Sequence, residues 1–342
     1  MLHFLEFRAM GCSATIQLQG PTEAGHVLAL VPEQIAKIEA QLTRFQPDSN
    51  LMQFNAKAGE WIEVSRVLYD NILAAKHAAR ITNGRYNPLV LPAMIANGYD
   101  RSFEQIHDVD TRPAVQIPSW RKIEVKARTQ QIRIPVGTAI DLGGIGKGWT
   151  AEYIADQLAE IGPCLVDFGG DIVAREAPDG YPGWPIDIED PNTGEIFATV
   201  TLQDSAIATS GIDYRRWQNA DGDVFHHIIN PDTGQPARTD VISATVIHPH
   251  APTAEAYAKA VLIQGAQSGL SWLSQQWHGC GLTFSQEGAV LSTSNFEQYI
   301  QGRISLHETL ANGSYTAADC SGTVSCSVAS RSHHIKRCDP IH

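Results

Sequence analysis

The stretch "IDLGGIGKGWTAEYIADQL", Ile140 to Leu158, brings four glycines and a lysine to the junction of a strand and a helix. Residues of that kind suit phosphate chemistry, yet neither common nucleotide fingerprint fits. A Walker A loop needs Ser or Thr after its Gly-Lys, where Gly148 stands, and Asp141 occupies the position of its first glycine. A dinucleotide fingerprint begun at Gly144 and Gly146 needs Gly or Ala where Trp149 stands. Glycines permit close backbone approach and positive φ. Amides left free at the start of the helix, beside Lys147, would suit an anion. The same residues equally describe a tight strand–helix turn with a solvated lysine, and the stretch alone leaves both readings open. In "AEAYAKA", Glu255 and Lys259 are four apart and share a helix face, the spacing of a surface ion pair worth ~0.3–0.5 kcal/mol. His248 and His250 in "HPH" lie at a strand end and read as surface.

These residues need elements to hold them. The N-terminal segment alternates as a strand, with Ala14, Ile16 and Leu18 on one face and Ser13, Thr15 and Gln17 on the other. Val31, Ile35, Ile38 and Leu42 keep helical spacing, with Pro32 in a first turn or a kink. A second helix is predicted over Val67 to Ile81, closed by Asn83-Gly84. Ile123 and Val125 form a hairpin with Ile132 and Ile134. The helix after the glycine turn carries Ile154, Leu158 and Ile161, with Gly162-Pro163 as its stop. Strands are expected in "CLVDFGGDIVA", "FATVTL", "AIATSG" and "SATVIHP", and a last helix over Ala254 to Gln264, capped by Thr253. Helices mixed with antiparallel hairpins favour an α+β fold over a doubly wound sheet.

Composition narrows the function. The 342 residues are 43% hydrophobic and 18% charged, with a formal net charge of −12, which is enough for a large core and lacks the basic face of a nucleic-acid binder. No run of apolar residues is long enough for a membrane span. Met1 leads at once into a strand pattern without a signal peptide, so a cytoplasmic location is expected. The six cysteines are scattered and form no C-x-x-C pair, which reads as free thiols rather than a disulfide framework or structural zinc. The domain boundary is expected at residue 308. The segment 309–342 is rich in Ser and small residues and is expected to be a disordered tail, its His333, His334 and Cys338 being a frayed terminus or a metal site.

Taken in order, six segments resemble one family. "AMGCSATIQL" resembles an opening strand with an M-G-T motif, "LTRFQPDSNLMQFN" its S-x-Y/F-x-x-x-S segment, and "NGRYNPLVLPAMIANGYD" its G-x-F-D-P-x-V-x-P-L…W-G-F segment. "IDLGGIGKGWTAEYIADQL" is similar to D-L-G-G-I-A-K-G-Y-A-x-D, "VDFGGDIVA…GWPIDIEDP" to N-x-G-G-D-I…W-x-V-x-I-x-D-P, and "AIATSG…FHHIINPDTGQP" to T-S-G…H-H-I-I-D-P-x-T-G. The family is ApbE, the FAD:protein FMN transferases, and the resemblance covers roughly residues 5 to 300. It implies a two-lobed α+β fold with FAD between the lobes and Mg²⁺ on the pyrophosphate. It also implies transfer of FMN to a Thr or Ser hydroxyl of a target flavoprotein. The family leaves a periplasmic location open.

Carried over residue by residue, the resemblance puts Met10 and Phe45 at the flavin, Phe45 standing where Tyr is common. Arg85, Tyr86 and Asn87 fall along the nucleotide, Asp141 on a ribose or adenine hydrogen bond, Lys147 beside the cofactor and Ile229 on the adenosine. His227 is the implied base, or else a hydrogen-bonded turn residue. The implied metal positions are Gly144, Glu255 and Ala258. Here the sequence departs: Glu255 stands for the family's Asp and Lys259 for its Thr, and a protonated lysine has no acceptor to offer a metal. Asn87 and Asn230 also stand where the family has Asp. The expectation is therefore an FMN transferase with Mg²⁺ dependence weakened or lost, Lys259 meeting the pyrophosphate directly. The rival readings are an FAD-binding carrier or assembly factor without transferase activity, and a hydrolase that splits FAD.

Overall fold

The structure is a computed structural model that describes residues 1–301 apart from 107, 108, 110 and 220, with two short strands at 314–316 and 333–334. The chain opens with a hairpin of β1 (Leu2–Ala9) and β2 (Cys12–Gln19), in which Ala9 faces Cys12. Met10 and Gly11 therefore form a two-residue turn, with φ of 53° and 72°. Such a turn needs positive φ at both central residues and favours Asn or Gly. Methionine there carries a conformational cost, and its position above the cavity described below is what the cost secures.

Next come α1 (Ala24–Leu28), α2 (Val31–Leu42), α3 (Asn50–Asn55), β3 (Ile62–Glu63), α4 (Arg66–Ile81), α5 (Leu91–Ala96), β4 (Glu124–Lys126) and β5 (Gln131–Arg133). Pro32 lies in the first turn of α2, where its missing N–H costs nothing. Ser65 caps α4, its hydroxyl accepting from Leu68 N–H at 3.3 Å. The buried stripe Leu68, Ile72, Ala75 and Ala79 packs with Leu51, Phe54 and Ile132 into one core. The hairpin of β4 and β5 pairs Val125 with Ile132.

After α6 (Gly146–Leu158) the strands β6 (Cys164–Phe168), β7 (Asp171–Arg175), β8 (Trp184–Glu189), β9 (Ile196–Leu202) and β10 (Ser205–Gly211) follow. They lead through two small hairpins, β11 (Arg216–Gln218) with β12 (Val224–His226) and β13 (Ile229–Asn230) with β14 (Gln235–Pro236), to β15 (Val241–His248), α7 (Ala251–Gln264), α8 (Ala266–Leu273), β16 (Cys280–Ser285) and β17 (Ala289–Ser292). The main sheet is antiparallel in the order β1-β2-β6-β7-β10-β15-β16-β17, continued by Ser314–Thr316. Strand alternation divides its side chains between two layers. Cys164, Val166, Phe168 and Val173 pack on α6, whereas Leu165, Ile172 and Ala174 pack on β8 and β9. The fold is α+β, as the mixed pattern predicts. The predicted tail lies outside the described residues except for Ser314–Thr316 and for His333–His334, which runs parallel to β8. Among the described residues no helix is long and apolar enough to cross a membrane. Cys12, Cys164 and Cys280 are buried free thiols.

Helix boundaries differ from expectation in two places. Helix α6 ends at Leu158, before Ile161. Helix α7 starts at Ala251 with Pro252 in its first turn, so Thr253 is inside the helix and not its cap. Proline is tolerated at a first turn, where its missing N–H costs nothing. His248 corrects the surface reading: it is buried, and the rings of Trp277 and His278 lie 5.4 and 6.3 Å from its own.

Candidate flavin site

A cavity of about 480 Å³ opens where the helical lobe meets the main sheet, within the range that holds cofactor-sized ligands. Met10, Phe45, Arg85, Tyr86, Asn87, Asp141, Gly144, Lys147, His227, Ile229, Glu255 and Lys259 all line it. Ala258 lies outside the wall, buried in the apolar cluster with Ala254 and Val261. Asn230 holds the turn after β13, its Oδ1 accepting from Asp232 N–H at 3.0 Å. Asn87 borders the cavity with its amide already committed: Oδ1 accepts from Leu89 N–H and Nδ2 donates to the Pro118 carbonyl.

Two residues that the sequence reading left without a role organise the walls. Arg44, just past α2, forms an ion pair with Asp141, its Nε 3.2 Å from Oδ2, and the two side chains are only 6% and 8% exposed. Its guanidinium sits 4.3 Å from the ring centres of both Phe45 and Tyr99. Phe45 itself is 45% exposed at the mouth. Asp171, at the start of β7, forms an ion pair with Lys147, whose Nζ also lies 3.5 Å from the Phe168 carbonyl. Burial opposes the Lys147 charge, but Asp171, Cys12 and Glu255 outweigh it and raise the pKa above its ordinary value. Arg44 adjoins Phe45 in sequence and Asp171 follows Gly169-Gly170, but neither spacing announces a partner so far along the chain.

The glycine turn corrects a second expectation. None of its four glycines has positive φ, and its amides are largely satisfied within the protein. Gly143 N–H donates to Asp141 Oδ1 at 2.9 Å, Gly146 N–H to the Leu142 carbonyl at 2.8 Å, and Gly148 N–H to Glu255 Oε2 at 3.0 Å. The glycines serve close approach. A Cβ on Gly144 would lie 2.9 Å from Tyr86 Cε2 and 3.1 Å from Lys259 Cε, and one on Gly148 would lie 2.7 Å from Glu255 Oε2 and 3.1 Å from the Ala251 backbone. Gly148→Ala is therefore expected to lower stability by ~1–3 kcal/mol, read as a shift of the urea midpoint. An unchanged midpoint would mean that Glu255 does not dock on this amide.

The Glu255 carboxylate, one of the implied metal positions, is engaged within the protein. One Glu255 oxygen holds the Gly148 amide, and the other faces the Lys259 ammonium at 3.9 Å. Burial, then the Asp171 charge, pushes the Glu255 carboxyl up to about 8, against the pull of Lys259 and Lys147. Mg²⁺ needs a near-octahedral set of oxygens. Among the described residues no cluster of three or more His, Cys, Asp or Glu side chains is arranged for a metal.

Among the cavity residues, Arg44 Nη2, Tyr86 Oη and His227 Nδ1 are buried without a hydrogen-bond partner. Orphaned groups of this kind are completed by a bound molecule or water, so the residues present fit a ligand that carries polar groups. His227 lies edge-on to Tyr99, with ring centres 6.4 Å apart. Its pKa is driven well below 6.5 by burial first, then by Arg215, His226, Lys259 and Lys147. Its neighbour His226 is a structural group, bonded through Nε2 to the Ala237 carbonyl at 3.0 Å and through Nδ1 to Ile228 N–H.

The profile of the ApbE family matches residues 10–284. The FAD:protein FMN transferase of Treponema pallidum (strain Nichols) is 31% identical over 292 residues, covering 78% of this chain and 80% of that protein. The protein of the same name from Vibrio cholerae serotype O1 is 28% identical over 267 residues, covering 75% and 78%. Among solved structures, the ApbE protein of Thermotoga maritima matches with a TM-score of 0.77 at 26% identity, over 88% of this chain and 100% of that one. The apo form of the Pseudomonas stutzeri flavinyl transferase ApbE shares the fold, with a TM-score of 0.75 at 20% identity, over 89% and 98%.

Proposed function

The chain belongs to the ApbE family, and on that premise we propose that it is an FAD:protein FMN transferase acting on a Thr or Ser hydroxyl of a target flavoprotein. The observation that carries this reading is the meeting of His227, Tyr86 and Arg44, each with a buried unpartnered polar atom, on one cavity lined by Met10, Phe45, Lys147 and Ile229. FAD is the substrate. Its flavin end lies toward Met10 and Phe45 and its adenosine toward Asp141 and Ile229.

The acceptor hydroxyl oxygen forms a bond to the FMN phosphorus, and the bond from that phosphorus to the bridging oxygen breaks. AMP leaves with the bridging oxygen, and FMN remains as a phosphate ester of the acceptor. The hydroxyl proton passes to His227, which burial keeps neutral and able to accept it. Lys147, fixed by Asp171, supplies positive potential along the nucleotide. Arg44 holds Asp141 in place. Incubation with FAD and a target domain is expected to leave covalent flavin on the target and to release AMP. FAD that binds and stays whole would favour the carrier reading, which the Glu255–Lys259 departure supports, and AMP released without target would mark a hydrolase.

The same reading predicts that FAD binds more tightly than FMN, by roughly tenfold or more, since tenfold corresponds to only about 1.4 kcal/mol from the adenosine contacts. Calorimetry with each ligand checks it. Equal affinities would remove the adenosine assignment of Asp141 and Ile229.

A further inference from the structure

We propose that Lys259 is the cation that receives the FAD diphosphate, and that the site works without a divalent metal; this rests on the transferase reading of the cavity. Three observations lead to it. The amides of Gly143, Gly146 and Gly148, which a helix N-terminus would otherwise turn toward an anion, already donate to Asp141, Leu142 and Glu255. Of the other cations that line the cavity, Lys147 pairs with Asp171 and Arg44 with Asp141, while Arg85 donates to the Thr82 carbonyl at 3.3 Å and Arg215 is a further one.

Lys259 is held loosely by comparison. Its Nζ lies 3.4 Å from the Glu255 carbonyl and 3.9 Å from the Glu255 carboxylate, while an ammonium has three protons to donate. Its stem crosses the glycine turn, with Cε 3.1 Å from the place of a Gly144 Cβ, so the ammonium is brought to the turn itself. Gly144 thus leaves clearance for Tyr86 and for this lysine.

The chemistry is modest and definite. The ammonium donates charge-assisted hydrogen bonds to phosphoryl oxygens and offsets the charge that gathers on the departing AMP phosphate. It carries one positive charge where a divalent ion carries two, so transfer is slow. Glu255, anchored on the Gly148 amide, keeps the lysine on the cavity side of α7 and is a positioning residue.

Calorimetry of the full chain with FAD, in EDTA and in Mg²⁺, tests this directly. The wild-type affinity is expected to be the same in both buffers. Lys259→Met should weaken FAD roughly ten- to a hundredfold in both, the size of a lost hydrogen bond to a charged group, and Lys259→Arg should retain most of the affinity. In the double variant Glu255→Asp with Lys259→Thr, Mg²⁺ should strengthen binding. Wild-type binding that EDTA abolishes and Mg²⁺ restores overturns the inference without any variant, as does a Lys259→Met protein that binds FAD like the wild type. Either result leaves the transferase reading standing. Failure to bind FAD in both buffers removes the two together.

Discussion

Replacing His227 by alanine is expected to slow covalent transfer by ~10²–10⁴-fold, the range for a lost general base, with FAD affinity almost unchanged. The expectation comes from the position of the ring. Its Nδ1 is buried and has no hydrogen-bond partner in the protein, so the substitution removes the edge contact with Tyr99 but no hydrogen bond at that nitrogen, in contrast to His226, whose two nitrogens both hold backbone. The pH dependence follows with its sign. A base must be neutral to accept the proton, so the wild-type rate rises with pH through the pKa of His227. That rise lies well below 6.5, because burial disfavours the imidazolium. His227→Ala should abolish the rise along with the rate. The same shift acts on stability: between the lowered folded pKa and 6.5, the unfolded chain binds a proton that the folded chain does not, so stability falls as pH drops through that window. An alanine variant that loses FAD binding as severely as rate would make His227 a structural residue.

The extent to which this site is legible in sequence depends on distance along the chain. The amphipathic helix from Leu68 to Ala79 and the hairpin of Val125 with Ile132 are local patterns, and both form where periodicity and turn chemistry put them. Much of the cavity wall comes from segments that carry the family resemblance, joined by Glu255 and Lys259 of α7. What spacing could not reveal is how the charges pair. Glu255 reaches the Gly148 amide from 107 residues away, and this contact turns the expected free helix N-terminus into a satisfied one. Lys147, a candidate solvated lysine by sequence, is instead bound to Asp171 across a strand junction. His248 looked exposed beside a proline because the Trp277-His278 segment that covers it comes from the far side of α8. Propensity and periodicity are properties of a window, whereas burial of a charge is a property of the assembled fold.

Arg44→Met is expected to destabilise the folded chain by ~3–5 kcal/mol, the cost of leaving a buried charge without its partner. That is a large share of a typical total of about 5–15 kcal/mol. The pair is unlike the surface pairs of this protein: Lys37 and Glu33 are each 71% exposed, whereas Arg44 and Asp141 are 6% and 8% exposed. Without the guanidinium, Asp141 keeps the Gly143 N–H at 2.9 Å but no opposite charge at its other oxygen. The Tyr99 carbonyl loses its 2.7 Å donor, and the two aromatic rings lose the cation between them. Arg44→Lys should recover little, because an ammonium cannot reproduce the planar fork that bonds Asp141 and the Tyr99 carbonyl while stacking on two rings. Adding Asp141→Asn to Arg44→Met should recover much of the loss, since it removes the uncompensated charge instead of restoring its partner. Urea unfolding of the four proteins in the double-mutant cycle measures the coupling. If Arg44→Met costs less than about 1 kcal/mol, the pair behaves like an exposed one, and Asp141 must then be solvated through the cavity rather than held by Arg44.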